Sequence, residues 1–228
     1  MNRRRLHWGY LGRRPYLPTW ELQERLRREV KAGSGEEHLL LLEHDPVFTL
    51  GRNAAESDVL AASEWLAARG IEVHETNRGG QVTYHGPGQL VGYPIVDLDP
   101  DRRDVRRYVH DLQEVLIRTL ADHGVEAGRR EEKGFIGVWV GAEKIASIGV
   151  HLSRWVTLHG FALNVSTELE HFGGIVACGL AEVRMTSVEK LTGRAPALAE
   201  VAARAARHFG EIFERELVPL GEGALNNG

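Results

Sequence analysis

Two residues carry the chemistry this sequence offers. Cys178 is the single cysteine, set between "GGIVA" and Gly179, and Lys144 opens the apolar run "KIASIGVHL". Backbone amides at a glycine-flanked turn can stabilise a thiolate or an oxyanion, so Cys178 is a candidate nucleophile. The competing reading is a buried, inert, small hydrophobe, with Val176, Ala177 and Leu180 as core neighbours. Lys144 divides in the same way. An ammonium on an apolar strand needs a partner or must neutralise, whereas a lysine at a hairpin end simply reaches solvent. The two residues become interdependent if they meet, because a thiol at its ordinary pKa is only slightly ionised at neutral pH and a nearby cation raises that fraction.

A third feature is the stretch "RGGQVTYHGPGQL" at residues 78–90. Its glycines and proline are too dense for an ordinary strand, and its polar side chains are too many for a plain turn. Such glycines let backbone approach a ligand closely while polar groups fix its orientation. Within it, His85 reads as an orienting or proton-relaying group or as a packing histidine, and is not taken as catalytic.

Other motifs fall away. "GPGQLVG" misses the dinucleotide spacing by one residue and has no helix behind it; no phosphate-binding G-x-x-x-x-G-K-[ST] exists, and Ser147 in "KIASIG" lacks the first glycine of a nucleophile elbow. The 11 histidines include no H-E-x-x-H, and His151 with His159 makes no metal site, so no metal is expected. One cysteine allows neither an internal disulfide nor a thiolate-rich zinc site.

The elements that must position these groups belong to a chain of 228 residues with net charge -4, 43% hydrophobic and 26% charged, which fits a globular domain with a sizeable core. A single domain is expected over 1–220, with 221–228 as a flexible tail. The acidic balance argues against a nucleic-acid partner, and no apolar run is long enough to span a membrane or serve as a signal peptide, so a cytoplasmic location is expected.

Residues 18–35 read as a helix capped by Thr19 and closed by Gly33; "HLLLLEH" and "VFTLG" read as strands; "SEWLAARG" is a short helix that Ser63 caps and Gly70 ends. "QLVGYPIVDL" is strand-like, with Pro94 placing it at an edge or bulge. A long helix follows, its stripe formed by Val105, Tyr108, Val109, Leu112, Leu116 and Leu120. "GFIGVWV" and "KIASIGVHL" form a hairpin, "TLHGFALNV" adds a third strand, and "PALAEVAARAARHFGEIFEREL" is a closing helix. The mixture is α+β without a regular βαβ repeat.

"RGGQVTYHGPGQLVGYP", "KIASIGVHLSRWVTLHGFALNV", and "ACGL" followed by "VRMTSV" resemble, in this order, the signature blocks of the lipoyl(octanoyl)transferase family, and with "LGRRPYLPTWELQ" the likeness covers most of residues 9–192. One departure is Ala177, where many members carry proline. The resemblance implies a fold like that of biotin and lipoate protein ligases: a mixed sheet, a smaller second sheet and packed helices. It implies Cys178 as acyl-thioester nucleophile and Lys144 as its pKa-lowering partner. It also implies substrate-binding roles for Arg78, Gly79, Gly80, Gln81, Val82, Thr83, Tyr84 and His85, for Ser147, Ile148 and Gly149, and for Gly160, Phe161 and Ala162.

The implied reaction takes octanoyl from the phosphopantetheine of acyl carrier protein and places it on a lysine of a lipoyl-accepting domain, as in 2-oxoacid dehydrogenases and glycine cleavage H protein, the first step of protein lipoylation. No permanently bound cofactor and no ATP are implied. Phe161 and Leu163 are candidate walls for the acyl chain. Arg102, Arg103, Arg106 and Arg107 are either a carrier-docking patch or a solvated face. An ATP-dependent lipoate or biotin-type ligase and a catalytically silent acyl-binding protein are the alternatives.

Overall fold

The computed structural model describes residues 3–132, 134–176 and 183–221; Cys178 and residues 222–228 of the expected tail lie outside these. Strands β1 (Arg4–Arg14), β2 (Glu37–His44), β6 (Gln89–Ile95), β7 (Gly137–Val140), β8 (Glu143–Ser153), β9 (Val156–Asn164) and β10 (Arg215–Pro219) form one sheet in the order β10-β1-β2-β6-β9-β8-β7. The first three are parallel and the rest antiparallel. A smaller sheet, β4-β3-β5, joins Glu72–Glu75, Val47–Leu50 and Val82–His85. Mixed sheets with packed helices match the α+β expectation.

The run of leucines in β2 is explained by burial on both faces. Leu39 and Leu41 pack under helices α3 (Val105–Ala121) and α5 (Leu198–Ile212, which follows the short α4, Val188–Thr192), while Leu40 and Leu42 pack under α1 (Tyr16–Lys31). A strand covered on both sides loses the polar half of its alternation.

Several local expectations need correction. Helix α1 starts at Tyr16, behind Pro15, and Thr19 donates its hydroxyl proton to the Pro15 carbonyl (2.7 Å) from inside the first turn, so it is not the cap. Likewise Ser63 is the first residue of α2 (Ser63–Arg69), and its side chain makes no capping bond; Gly70 does end the helix, at φ 60°. The cap of α3 is Asp104, which accepts from the amides of Arg106 and Arg107. Of the four clustered arginines, Arg102 is buried against Asp111 (2.6 Å) and the Ile212 carbonyl, so it is no part of a surface patch.

Strands β1, β5 and β10 escaped the sequence reading, β5 (Val82–His85) lying inside the glycine-rich stretch 78–90. β1 is an 11-residue strand in the arginine-rich start, and α1 carries the chain from it to its parallel neighbour β2, a single right-sized βαβ unit. β10 occupies what reads as the end of the last helix; α5 stops at Ile212, and Glu214 takes φ 56° before the strand begins.

Strand β6 is central, not an edge, and the ladder accommodates Pro94 by a local exchange of partners. Pairing of β6 with β9 runs only to Gly92 opposite Phe161. Beyond it, β9 kinks at His159 (φ 58°), whose amide donates to the Gln23 side chain of α1, and the Thr157 hydroxyl donates to the Pro94 carbonyl. The proline's missing donor therefore falls where β9 has turned to other partners.

Candidate active site

A cavity of about 510 Å³ opens between the two sheets and the start of α3. Its walls come from residues 78–83 with His85, from the stretch of β8 between Lys144 and Val150, and from residues 159–162 of β9. Thus Arg78, Gly79, Gly80, Gln81, Val82, Thr83, His85, Ser147, Ile148, Gly149, Gly160, Phe161, Ala162 and Lys144 converge on one space. Tyr84 alone of the expected binding residues turns away. Strand alternation sends its ring into the small-sheet core beside Phe48 and Phe172, where its hydroxyl meets His171 Nδ1 at 2.8 Å. Leu163 is likewise core, while Phe161 forms cavity wall.

The glycine-rich stretch is half loop and half strand. Arg78 is clamped over β3: its Nη2 donates to the Thr49 carbonyl (2.5 Å) and hydroxyl, and its Nη1 to the Gly79 carbonyl. Gly79 then donates its amide to Val150 of β8 (2.9 Å), tying the small sheet to the large one. Glycine is required opposite, because a Cβ on Gly149 would lie 2.9 Å from the Gly79 carbonyl oxygen. Gly80 (φ 88°) makes the turn, and Val82–His85 become β5, all four buried.

His85 sits at the end of a side-chain relay whose polarity can be read from its fixed ends. Asn164 Nδ2 donates to the Thr186 carbonyl (3.1 Å) and Gln89 Nε2 donates to the Tyr84 carbonyl (3.1 Å). Carbonyls only accept, so both amide orientations are set. Gln89 Oε1 is consequently the atom facing His85 Nδ1 at 2.8 Å, and the ring must carry its proton there. Nε2 belongs to a ring that lines the cavity. Burial, then the neighbouring His44 ring, holds the His85 pKa down to about 3, so the imidazole is neutral.

The same holds for two more histidines. His44 donates Nδ1–H to the Arg14 carbonyl and accepts from the Tyr93 hydroxyl (2.7 Å), and burial lowers its pKa to about 4. His159 lies 2.6 Å from the Asn77 amide oxygen; burial and then Arg78 lower its pKa to about 3. His85 and His159 join Tyr16 and Tyr93 as an uncharged polar section of the cavity wall, and His44 stands behind it through its bond to Tyr93.

Lys144 is aimed by a bulge. On β7, Trp139 pairs with Lys144 while the next residue back, Val138, pairs with Ala146, so Ile145 is the extra residue in β8. The inserted residue reverses the side-chain phase and brings Lys144 onto the face shared by Ser147 and Gly149 instead of the core face of Ala146. Its side chain is buried, with Nζ 5.6 Å from the Trp139 ring centre. Its backbone is bonded to Arg184 and Thr186: Lys144 N–H donates to the Arg184 carbonyl (2.8 Å), and Thr186 N–H to the Lys144 carbonyl (2.9 Å). Upstream, the Val176 amide donates to Asp58 (2.8 Å). These bonds hold both flanks of the segment that contains Cys178.

The remaining walls were not anticipated. Tyr16, Tyr93 and His159 belong to three separate elements and join only in three dimensions. Val105 and Val109 read as core in the helix stripe, yet Val105 is 43% exposed and both line the cavity with Ile136. Among the described residues, no three His, Cys, Asp or Glu side chains converge as metal ligands, and no helix is long and apolar enough to cross a membrane.

The lipoyl protein ligase A/B catalytic domain family matches residues 15–210. The octanoyltransferase of Solibacter usitatus (strain Ellin6076) is 54% identical over 209 residues, 92% of this chain and 93% of its own. Two solved structures share the fold. The bipartite lipoate protein ligase of Thermoplasma acidophilum, described together with its E2 lipoyl domain as an archaeal lipoylation system, superposes with TM-score 0.73 at 17% identity, covering 98% of this chain and 89% of the other. The biotin protein ligase of Aquifex aeolicus, in complex with biotin and ATP, gives TM-score 0.57 at 13% identity over 92% and 70%.

Proposed function

This chain belongs to the lipoyl protein ligase A/B catalytic domain family, and from that premise we propose that it is an octanoyltransferase: it moves an octanoyl group from acyl carrier protein, through a thioester on Cys178, to a lysine of a lipoyl domain. The observation that carries the reading is the 54% identity to a protein named octanoyltransferase, across 92% of this chain. The ligases among its structural neighbours, at 13% and 17% identity, speak for the fold alone.

The chemistry divides between two side chains. The Cys178 thiolate attacks the carbonyl of the donor thioester, a carbon–sulfur bond forms to the enzyme, and the bond to the carrier's phosphopantetheine sulfur breaks. The departing thiolate takes a proton from the Lys144 ammonium. In the second half, the neutral amine of the acceptor lysine attacks the acyl-enzyme, the nitrogen's surplus proton passes to the Lys144 amine, and the Cys178 thiolate leaves. Both residues end as they began. Conversion of a thioester to an amide runs downhill, so no ATP is consumed and no resident cofactor is needed. Lys144 is suited to this role by the bulge that turns it to the cavity and by its backbone bonds to Arg184 and Thr186, a few residues beyond Cys178.

The cavity suits the acyl group. Phe161, Ile136, Ile148, Val105 and Val109 provide apolar wall, and each methylene removed from water contributes about 0.8 kcal/mol. Acceptors would be lipoyl domains, including that of glycine cleavage H protein, and the site of action the cytoplasm. Intact-mass analysis after mixing with octanoyl carrier protein tests the reading. A hydroxylamine-labile octanoyl adduct should appear and map to Cys178, and C178A should form neither adduct nor product; ATP-dependent acyl activation instead would replace the transferase with a ligase.

A further inference from the structure

A basic cluster lies beyond the cavity, on the same face of β8 as Lys144, Ser147 and Gly149. His151, two residues past Gly149, is approached from both sides: Arg27 Nη1 of α1 lies 3.0 Å from its Nδ1 and Arg52 Nη2 lies 3.1 Å from its Nε2. Guanidinium groups only donate, and a neutral imidazole has one accepting nitrogen. One of these two contacts therefore sets donor against donor. Burial, then Arg27 and Arg52, push the ring's pKa below its ordinary value, with Glu24 opposing them and Lys31 adding to them. Arg27 is itself more than nine-tenths buried, held by Glu24 at 2.6 Å, and its Nε has no partner among the described residues.

The cluster is joined to the cavity by polar contacts. Glu24 Oε1 accepts from Asn77, and Asn77 Oδ1 faces His159 in the cavity wall. The Arg52 amide donates to the carbonyl of Arg78, and its neighbour Asn53 lines the cavity. We propose that Arg27, His151 and Arg52 form a binding site for a phosphate ester, occupied by the phosphodiester at the head of the donor's pantetheine arm. An anion there would accept from both guanidinium groups and from the imidazole N–H, removing the opposed donors; Arg27 is preset, and exposed Arg52 is able to swing onto it. The reach agrees. Lys144 and His151 are seven residues apart on β8, one of them the bulged Ile145, so about six rises of about 3.3 Å, roughly 20 Å, separate them, and a pantetheine arm extends roughly 17 Å from phosphorus to sulfur, leaving the two side chains to lean inward.

This inference rests on the transferase reading for the identity of the ligand, so its test is built on binding and not on turnover. Octyl thioethers of 4′-phosphopantetheine and of pantetheine, neither of which can transfer an acyl group, are titrated calorimetrically into the full chain. The phosphorylated compound should bind about 10- to 100-fold more tightly, and R52Q, with R27Q as the second variant, should bring that ratio close to one. An unchanged ratio in folded R52Q, or no preference in the native chain, overturns the proposal. So does ATP binding the cluster more tightly than the phosphorylated thioether, which would make it a nucleotide site, and so does a loss in R52Q confined to the whole carrier protein, which would make it a reader of acidic side chains. If the phosphate preference appears but octanoyl carrier protein yields no acyl-enzyme, the site stands and the transferase reading fails.

Discussion

The side chain of Lys144 lies across Gly137: a Cβ built on that glycine would sit 2.5 Å from the lysine Cε and 3.3 Å from Nζ. Gly137 also takes φ 148° and would meet the Ala146 carbonyl at 2.4 Å. Gly137→Ala must therefore displace the lysine, the strand, or both. Octanoyl transfer should fall on the order of 100-fold, the scale of an ångström-sized misplacement of a reacting group, with about 1–3 kcal/mol lost from stability through overpacking. Gly128→Ala, where a Cβ would meet nothing within 4 Å, serves as the control and should keep both. Equal activity in G137A and G128A would mean that the lysine's path over Gly137 is immaterial.

Arginine at position 144 separates the two duties assigned to the lysine. K144R retains a cation to favour the thiolate but no group that gives up and takes back a proton near neutrality. Acyl-enzyme formation from octanoyl carrier protein should survive at a reduced rate, while passage to the lipoyl domain should fall by about 100-fold or more. Single-turnover mass spectrometry resolves the steps. Undiminished passage in K144R would remove Lys144 as the proton acceptor.

The parts of this protein that announce themselves in sequence are those governed by local patterning. The α3 stripe through Tyr108, Leu112, Leu116 and Leu120 is a period of burial, and each of these residues is buried. The β7–β8 hairpin is equally plain from its apolar runs around Gly141. β1 is obscure because Arg4, Arg5, Arg13 and Arg14 frame it and most of its residues are half-buried; only its parallel neighbours β2 and β10 make it a strand. β10 is obscure because nothing local stops the helix before it: the break is at Glu214, a residue with no preference for positive φ. At the site, the glycines of 78–90 signalled a backbone that approaches something closely, but not that Tyr84 would face away or that Gln89 would set the His85 proton. Those depend on strand phase and on Asn164, 75 residues farther along.

The His85 proton is open to direct observation. With the relay intact, nitrogen NMR should report Nδ1 protonated and Nε2 bare from pH 5 to 8. Gln89→Leu removes the acceptor at Nδ1 and should allow the other tautomer to appear. Asn164→Leu leaves Gln89 tied to the Tyr84 carbonyl, so the tautomer should persist, while the orphaned Thr186 carbonyl costs about 1–3 kcal/mol of stability. A native ring protonated at Nε2 would refute the assignment.

Acid should unfold this protein through its uncharged histidines. His44, His85 and His159 are each more than nine-tenths buried, and burial holds their folded pKa values to about 4, 3 and 3 against an unfolded value of 6.5. Below pH 6.5 the unfolded chain takes up protons that the folded chain refuses, so stability rises with pH in this range and drains away as pH falls from 6.5 toward 4 and 3. Three such groups give a limiting slope on the order of 4 kcal/mol per pH unit, enough to consume much of the 5–15 kcal/mol of an ordinary domain well before the lower values are reached. Urea unfolding at pH 7.5, 6.5 and 5.5 measures the slope, and His44→Gln, which removes one of the three, should reduce it by about a third. Stability that is flat between pH 6.5 and 5.5 would show that these rings accept protons in the folded state, and the neutral wall assigned to the cavity would have to be abandoned.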